Sequence, residues 1–135
     1  MRKKHERSYF FATLFFIFAA AGCSAGTRSA AGAVRALAEA AQAGDRAEVW
    51  RLVGPATRAR LQEDARRAAA LAGGAPVAPE KLLAVGWFAP SFRLEEAREL
   101  SREGDHAVVE ARGSDGRREQ VTCVRVDGQW KVELP

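Results

Sequence analysis

The chain has 135 residues and a net charge of +4, the length of one domain with enough chain to bury roughly two-thirds of its unfolded surface. The positive balance is local: Arg2, Lys3, Lys4 and Arg7 stand against Glu6 in the first seven residues, and beyond residue 22 there remain 17 basic and 16 acidic side chains. A basic pI that comes mostly from a removable leader gives no ground for a nucleic-acid partner, so that class is set aside.

The leader is Met1 to Gly22. Its charged start is followed by a run of 13 uncharged residues, Tyr9 to Ala21, and then by small ones, Ala19, Ala20, Ala21 and Gly22. A helical span of a bilayer takes about 20 apolar residues, so the run is too short to anchor and long enough for the core of an export signal. Short side chains are what a signal peptidase accepts beside the bond it cuts. Ala20-Ala21-Gly22-Cys23 resembles the lipobox of bacterial lipoproteins. The resemblance implies cleavage between Gly22 and Cys23, acylation of the Cys23 sulfur, and a lasting hold on a membrane, since two or more acyl chains anchor stably. Ser24 in place of Asp after the cysteine implies, by the same resemblance, the periplasmic side of the outer membrane. The family usually has leucine where Ala20 stands, and cleavage without lipidation and an uncleaved signal anchor are the alternatives. Gly22-Cys23-Ser24-Ala25-Gly26 also fits the G-x-S-x-G pattern of hydrolase elbows, but cleavage removes Gly22 and the required strand and helix are not there.

With Cys23 acylated, Cys123 has no disulfide partner, and stability must come from packing. Residues 23–31 read as the lipidated cysteine and a short flexible tether, and residues 32–135 as one domain. A first helix is expected from Ser29 to Ala43, with Val34, Leu37, Ala38 and Ala41 on one stripe and Gly44 as its stop. Asp45 and Glu48 have the capping-box spacing that starts a second helix, ended by Gly54-Pro55. A third runs from about Ala56 to Ala72, burying Leu61, Ala65, Ala68 and Ala72, with Arg60–Asp64 and Glu63–Arg67 pairs on its wet side. Gly73 to Pro79 is a loop, Glu80 to Val85 a short helical turn, and Trp87 and Phe88 form the most aromatic spot beyond the leader.

The last third changes period. Phe92 to Arg102, His106 to Arg112, Arg117 to Val126 and Gln129 to Leu134 read as an antiparallel meander with turns at Glu103-Gly104-Asp105, Asp115-Gly116 and Asp127-Gly128. With two-residue loops at the last two turns, Cys123 faces both Val132 and Val108. One sheet face then holds Val108, Val121, Cys123, Trp130, Val132 and Leu134 and is the core face. The other holds Ala107, Val109, Ala111, Thr122, Val124 and Val126. So apolar an outer face suggests a second subunit, dimerising through Val109, Val124 and Val126.

Three helices followed by an antiparallel meander define an α+β domain, with the helices on one face of a curved sheet. The stretch Val34 to Asp45, the restart Gly54-Pro55-Ala56-Thr57-Arg58 and the closing Arg125-Val126-Asp127-Gly128-Gln129-Trp130-Lys131-Val132-Glu133-Leu134 resemble, in that order, the NTF2-like cone fold of small lipoproteins. That resemblance implies a conical cavity, with Trp87, Phe88 and Trp130 as candidate lining residues. Members of the family that are enzymes use Asp, His, Tyr or Arg there. Here Tyr9 leaves with the leader, and His106 and Cys123, which share a face in the register above, are the remaining nucleophile and base. Two such ligands are too few for a metal site, and no phosphate-cradling loop is present. The reading is therefore a non-catalytic, membrane-anchored envelope lipoprotein whose domain binds an envelope protein or a small ligand, with no cofactor or metal. The alternatives are a small isomerase-, hydratase- or hydrolase-type enzyme or a carrier of an apolar ligand, either using the cone, and a dimeric assembly subunit.

Overall fold

The computed structural model describes residues 25–83 and 92–135. It is an α+β domain in which three helices, α1 (Ala30–Gln42), α2 (Arg46–Leu52) and α3 (Pro55–Leu71), pack on an antiparallel sheet of four strands in the order β1 (Leu94–Glu103), β2 (His106–Gly113), β3 (Arg118–Val126) and β4 (Gln129–Glu133). Short 3-10 turns occupy Ala25–Arg28 and Pro79–Leu82. Cys23, Gly22, Trp87 and Phe88 lie outside the described residues.

The helix signals act as their chemistry requires. Ser29 caps α1, its hydroxyl accepting from the Gly32 N–H at 3.0 Å. The far end closes with Gly44 at φ +70°, where the Asp45 N–H donates to the Ala40 carbonyl at 2.9 Å and the Gly44 N–H to that of Ala41 at 3.0 Å. That closure alters the start of α2. Asp45 caps it by accepting from the Glu48 N–H at 3.0 Å, but the Asp45 N–H is already engaged, so the Glu48 carboxylate turns to Arg51 instead of completing the box. The hydrogen bond from Arg51, with the Arg51 charge adding to it, then holds the Glu48 carboxyl below its usual range.

The expected tether is shorter than its composition suggests. Thr27 is 1% exposed and Ala30 fully buried. A side chain at Gly32 would collide with the Gly26 carbonyl and the Ser29 hydroxyl, so the glycine at 32 lets the 3-10 turn lie against α1.

On α3 the outcome is divided. Thr57, Leu61 and Ala65 are buried, but Ala68 is only half covered, Ala72 is exposed and Leu71 is 91% exposed. Glu63 holds Arg66 at 2.7 Å and Arg67 at 3.5 Å. Arg60 donates to the Leu134 carbonyl at 3.3 Å, away from the side expected to pair with Asp64.

At the helix joint, β4 is bound by alternate charges. The Gly54 N–H donates to the Val132 carbonyl at 2.8 Å, and Val53 and Val132 form an isolated parallel bridge. Glu133 accepts from the Ala56 N–H at 3.1 Å, the Thr57 N–H at 2.8 Å and the Thr57 hydroxyl at 2.6 Å, an anion at the positive end of α3. Lys131, two residues earlier on the same face, donates to the Arg51 carbonyl at 2.9 Å, and Arg58 donates to those of Trp50 and Arg51, cations at the negative end of α2. Gly54 has room for no side chain, because a Cβ would meet the Glu133 carboxylate.

The sheet corrects one expectation. At Asp127-Gly128 the two-residue loop is as expected: Asp127 and Gly128 have φ of +51° and +76°, and Val126 faces Gln129, Arg125 faces Trp130 and Cys123 faces Val132. Between β2 and β3 the loop has three residues. The Gly113 N–H bonds to the Arg117 carbonyl at 2.9 Å, the Gly116 N–H to the Gly113 carbonyl at 3.0 Å, and Gly116 takes φ +80°. The shift of one residue turns β2 over. Ala107, not Val108, opposes Cys123. Ala107, Val109 and Ala111 join Val121, Cys123, Val132 and Leu134 in the core, and Val108, Glu110 and Arg112 share the outer face with Thr122, Val124 and Val126.

Two substitutions test this face assignment. Val109→Asp buries an unpaired charge and should cost more than about 3 kcal/mol in denaturant melts, whereas Val124→Glu on the half-covered outer face should cost less than about 1 kcal/mol. At the joint, Glu133→Ala should lower stability by about 1–2 kcal/mol, the range for loss of a helix N-cap, measured in the same melts.

Candidate functional site

The inward sheet face is closed at each end by an aromatic ring under arginine. Trp130 is fully buried, with the Arg102 guanidinium 4.9 Å and the Arg125 guanidinium 5.6 Å from its ring centre. Register explains the meeting: Arg102 opposes Ala107 and Arg125 opposes Trp130, which puts both on the inward face beside the turns at Gly104-Asp105 and Asp127-Gly128. Arg102 is held by the Glu99 carboxylate at 2.7 Å, and Arg125 by Asp105 at 2.8 Å. At the other end Arg117 lies 5.8 Å from the centre of Phe92, which packs where Gly113 leaves room. Arginine covers a ring with a planar face while its charge stays in water.

Glu99, Arg102 and Arg125 are therefore charged groups on the inward face, yet each guanidinium already holds a carboxylate and lies over the tryptophan. They cover Trp130, so the ring expected to line a cavity is part of the core. Its expected companions Trp87 and Phe88 fall outside the described residues.

The thiol and imidazole are on opposite sides of the sheet. His106 opposes Val124 and stands exposed on the outer face. Cys123 opposes Ala107 on the covered face, with its sulfur 3.8 Å from the Ala30 carbonyl to which it donates. Burial, with the nearby Glu99 and Glu133 charges adding to it, pushes the Cys123 thiol up to about 12. The shared face inferred from a two-residue β2–β3 loop does not exist, and a protonated, buried thiol is a small apolar filler.

Of the residues expected at a dimer face, Val109 is fully buried in the core, and Val124 and Val126 remain half-covered on the outer face. Arg98 and Glu110 pair across that face at 3.3 Å, and Arg112 reaches Glu96 at 3.3 Å. It is more polar than expected, since Ala107, Val109 and Ala111 are inside.

Open hollows are lined by described residues at several places. One of about 510 Å³ lies between α3 and the following loop, against Gln62, Ala65, Ala69, Pro76 and Val77. One of about 110 Å³ separates α1 from β1 at Arg35, Gln42 and Glu95. Another, of about 240 Å³ on the outer face, gathers Ser101, Glu103, His106, Val108 and Thr122. Sequence reasoning missed this last group because its one-residue slip put His106 on the other face. A Gly three residues after Gly113, suited to the left-handed position of a three-residue loop, was the signal that could have found it.

Among the described residues no group of three or more His, Cys, Asp or Glu side chains is placed to hold a metal ion, and no helix is long and apolar enough to cross a membrane. No family model, curated protein or solved structure matches the chain.

The thiol gives a direct test. Its raised value means the folded protein keeps a proton that the unfolded chain loses, so stability is whole below the unfolded thiol's value of about 8.5 and falls as pH rises from there toward 12. Melting temperature should drop across that window in the native protein and drop less in Cys123→Ala. At pH 8 a thiol reagent should modify Cys123 only after unfolding.

Proposed function

We propose that this chain is an envelope lipoprotein, held to the membrane by acyl chains on Cys23, whose NTF2-like domain works by binding and not by catalysis. The observation that carries the reading is the order of signals at the N terminus. A charged start, a short apolar run and Ala20-Ala21-Gly22-Cys23 stand directly before the first packed residues at Gly26 and Thr27. The periplasmic side of the outer membrane is the proposed location, from Ser24 after the cysteine.

The cone-fold part of the proposal is supported by the helix joint. The Gly54-Pro55-Ala56-Thr57-Arg58 and Trp130-Lys131-Val132-Glu133-Leu134 stretches that carry the resemblance touch each other through Glu133, Thr57 and Gly54. Their spacing is thus a requirement of one contact, in keeping with a shared architecture. The binding reading is supported by the separation of Cys123 from His106 and by the arginine-covered Trp130, which leave those groups unsuited to nucleophilic chemistry.

Mass spectrometry of the mature N terminus, prepared from membranes, tests the anchor. The expected product begins at Cys23 and carries acyl chains. Cys23→Ser should abolish the acylated form and release the protein from the membrane fraction; an unmodified N terminus on the native protein defeats the proposal.

A further inference from the structure

The distance from the anchoring cysteine to the first packed residue is very short. Gly26 lies against α1, its carbonyl over Gly32 and its α-carbon beside Ala36, and the next residue, Thr27, is buried. From Cys23 to Gly26 are three residue steps, which reach about 10 Å when fully extended. The head-group zone on each side of a bilayer is itself about 5–8 Å deep. A domain of this size has a diameter of more than about 25 Å, so so short a link cannot let it turn freely above the surface.

We propose that the folded N-terminal turn holds the domain directly on the phospholipid head groups by its helix side, at the flank where residues 25–28 cross α1, and turns the outer sheet face to the aqueous side. This rests on the lipid-anchor reading above. The 3-10 turn packs on α1 and β4, α1 covers the inward sheet face through Cys123 and Ala97, and the outer face lies across the sheet from both. The occupant of the flank is the lipid surface itself, fixed by covalent reach. Charge contributes little, because the chain beyond residue 22 is close to neutral. The hollow at Ser101, Glu103, His106 and Thr122 would then face any soluble partner. Gly32 is the clamp: with a side chain there the Gly26 carbonyl must move away, and a freed link of about seven residues, up to the α1 cap at Ser29, spans roughly 13–16 Å as a coil.

The test uses the processed, acylated protein in phosphatidylcholine vesicles containing a head-group quencher. A fluorophore is placed at Arg28→Cys in the turn or at Gln120→Cys, exposed on the outer face; buried Cys123 does not compete for the label. The label at position 28 should be quenched several-fold more strongly than that at 120, at low and high salt alike. Equal quenching in protein that floats with the vesicles overturns the orientation and leaves the anchor standing. Protein that does not float overturns both. Gly32→Ala should still float and still melt cooperatively while the contrast between the two labels falls several-fold; a folded variant with undiminished contrast overturns the clamp.

Discussion

The arrangement depends on one edge strand meeting one helix corner. β4 is an edge strand of five residues, and its outward side chains end two helices at once. Lys131 and Glu133 are two apart and so share a face; the corner between α2 and α3 presents, at matching spacing, a carbonyl end and an amide end. Opposite charges on one strand meet opposite ends of two helix dipoles, while Val132 between them points into the core. Burial of the Lys131 ammonium, with the Arg51 and Arg58 charges near it, holds its titration below the ordinary lysine value. The cation therefore stays there at some cost, offset by the carbonyl it satisfies. Replacing the glycine at 54 would displace Glu133, and α3 would lose its cap and the edge strand its partner together.

That contact explains the shape of the core. α1 lies on the sheet through Arg35 to the Ala97 carbonyl and Gln42 to the Phe92 carbonyl, so polar side chains of this helix also satisfy backbone acceptors on and just before the first strand. Its buried flank is largely alanine, which lets helix and sheet approach closely, and Leu37, Leu52 and Trp130 supply the bulk. At the two ends of this layer arginines lie over Trp130 and Phe92. An aromatic ring near the edge of a small core needs a cover that is apolar below and wet above, and a stacked guanidinium meets both demands.

A single loop residue decides which surface could serve function. With β2 in its observed register, Ala107, Val109 and Ala111 leave the outer face, and His106, Val108, Glu110 and Arg112 replace them. The outer face keeps Val108, Val124 and Val126 as its apolar side chains, fewer than expected, beside the Arg98–Glu110 and Arg112–Glu96 pairs. A modest polar hollow lies beside His106. The same slip puts Cys123 and His106 on opposite faces of the sheet, so the expected thiol–imidazole pair does not form.

The sequence by itself determined the local elements: Ser29, Gly44, Asp45 and Pro55 mark helix boundaries through hydrogen bonds and dihedral preferences that act within a few residues, and Asp127-Gly128 imposes its turn in the same way. The export signal proposed for residues 1–22 is likewise read from charge and hydropathy along the chain. The strand from Leu94 to Glu103 was legible despite helix-forming composition because the Gly104 turn folds it back on β2. Only the tertiary structure decided the β2 register, since Ser114-Asp115-Gly116 can close a loop of two or three residues and the choice is made by which strand face the helices bury. It alone showed that Glu133 caps a helix 76 residues away, that Arg60 reaches the last strand, and that the presumed tether folds onto α1. Those outcomes depend on groups distant in sequence competing for the same partner, and no local pattern records who wins.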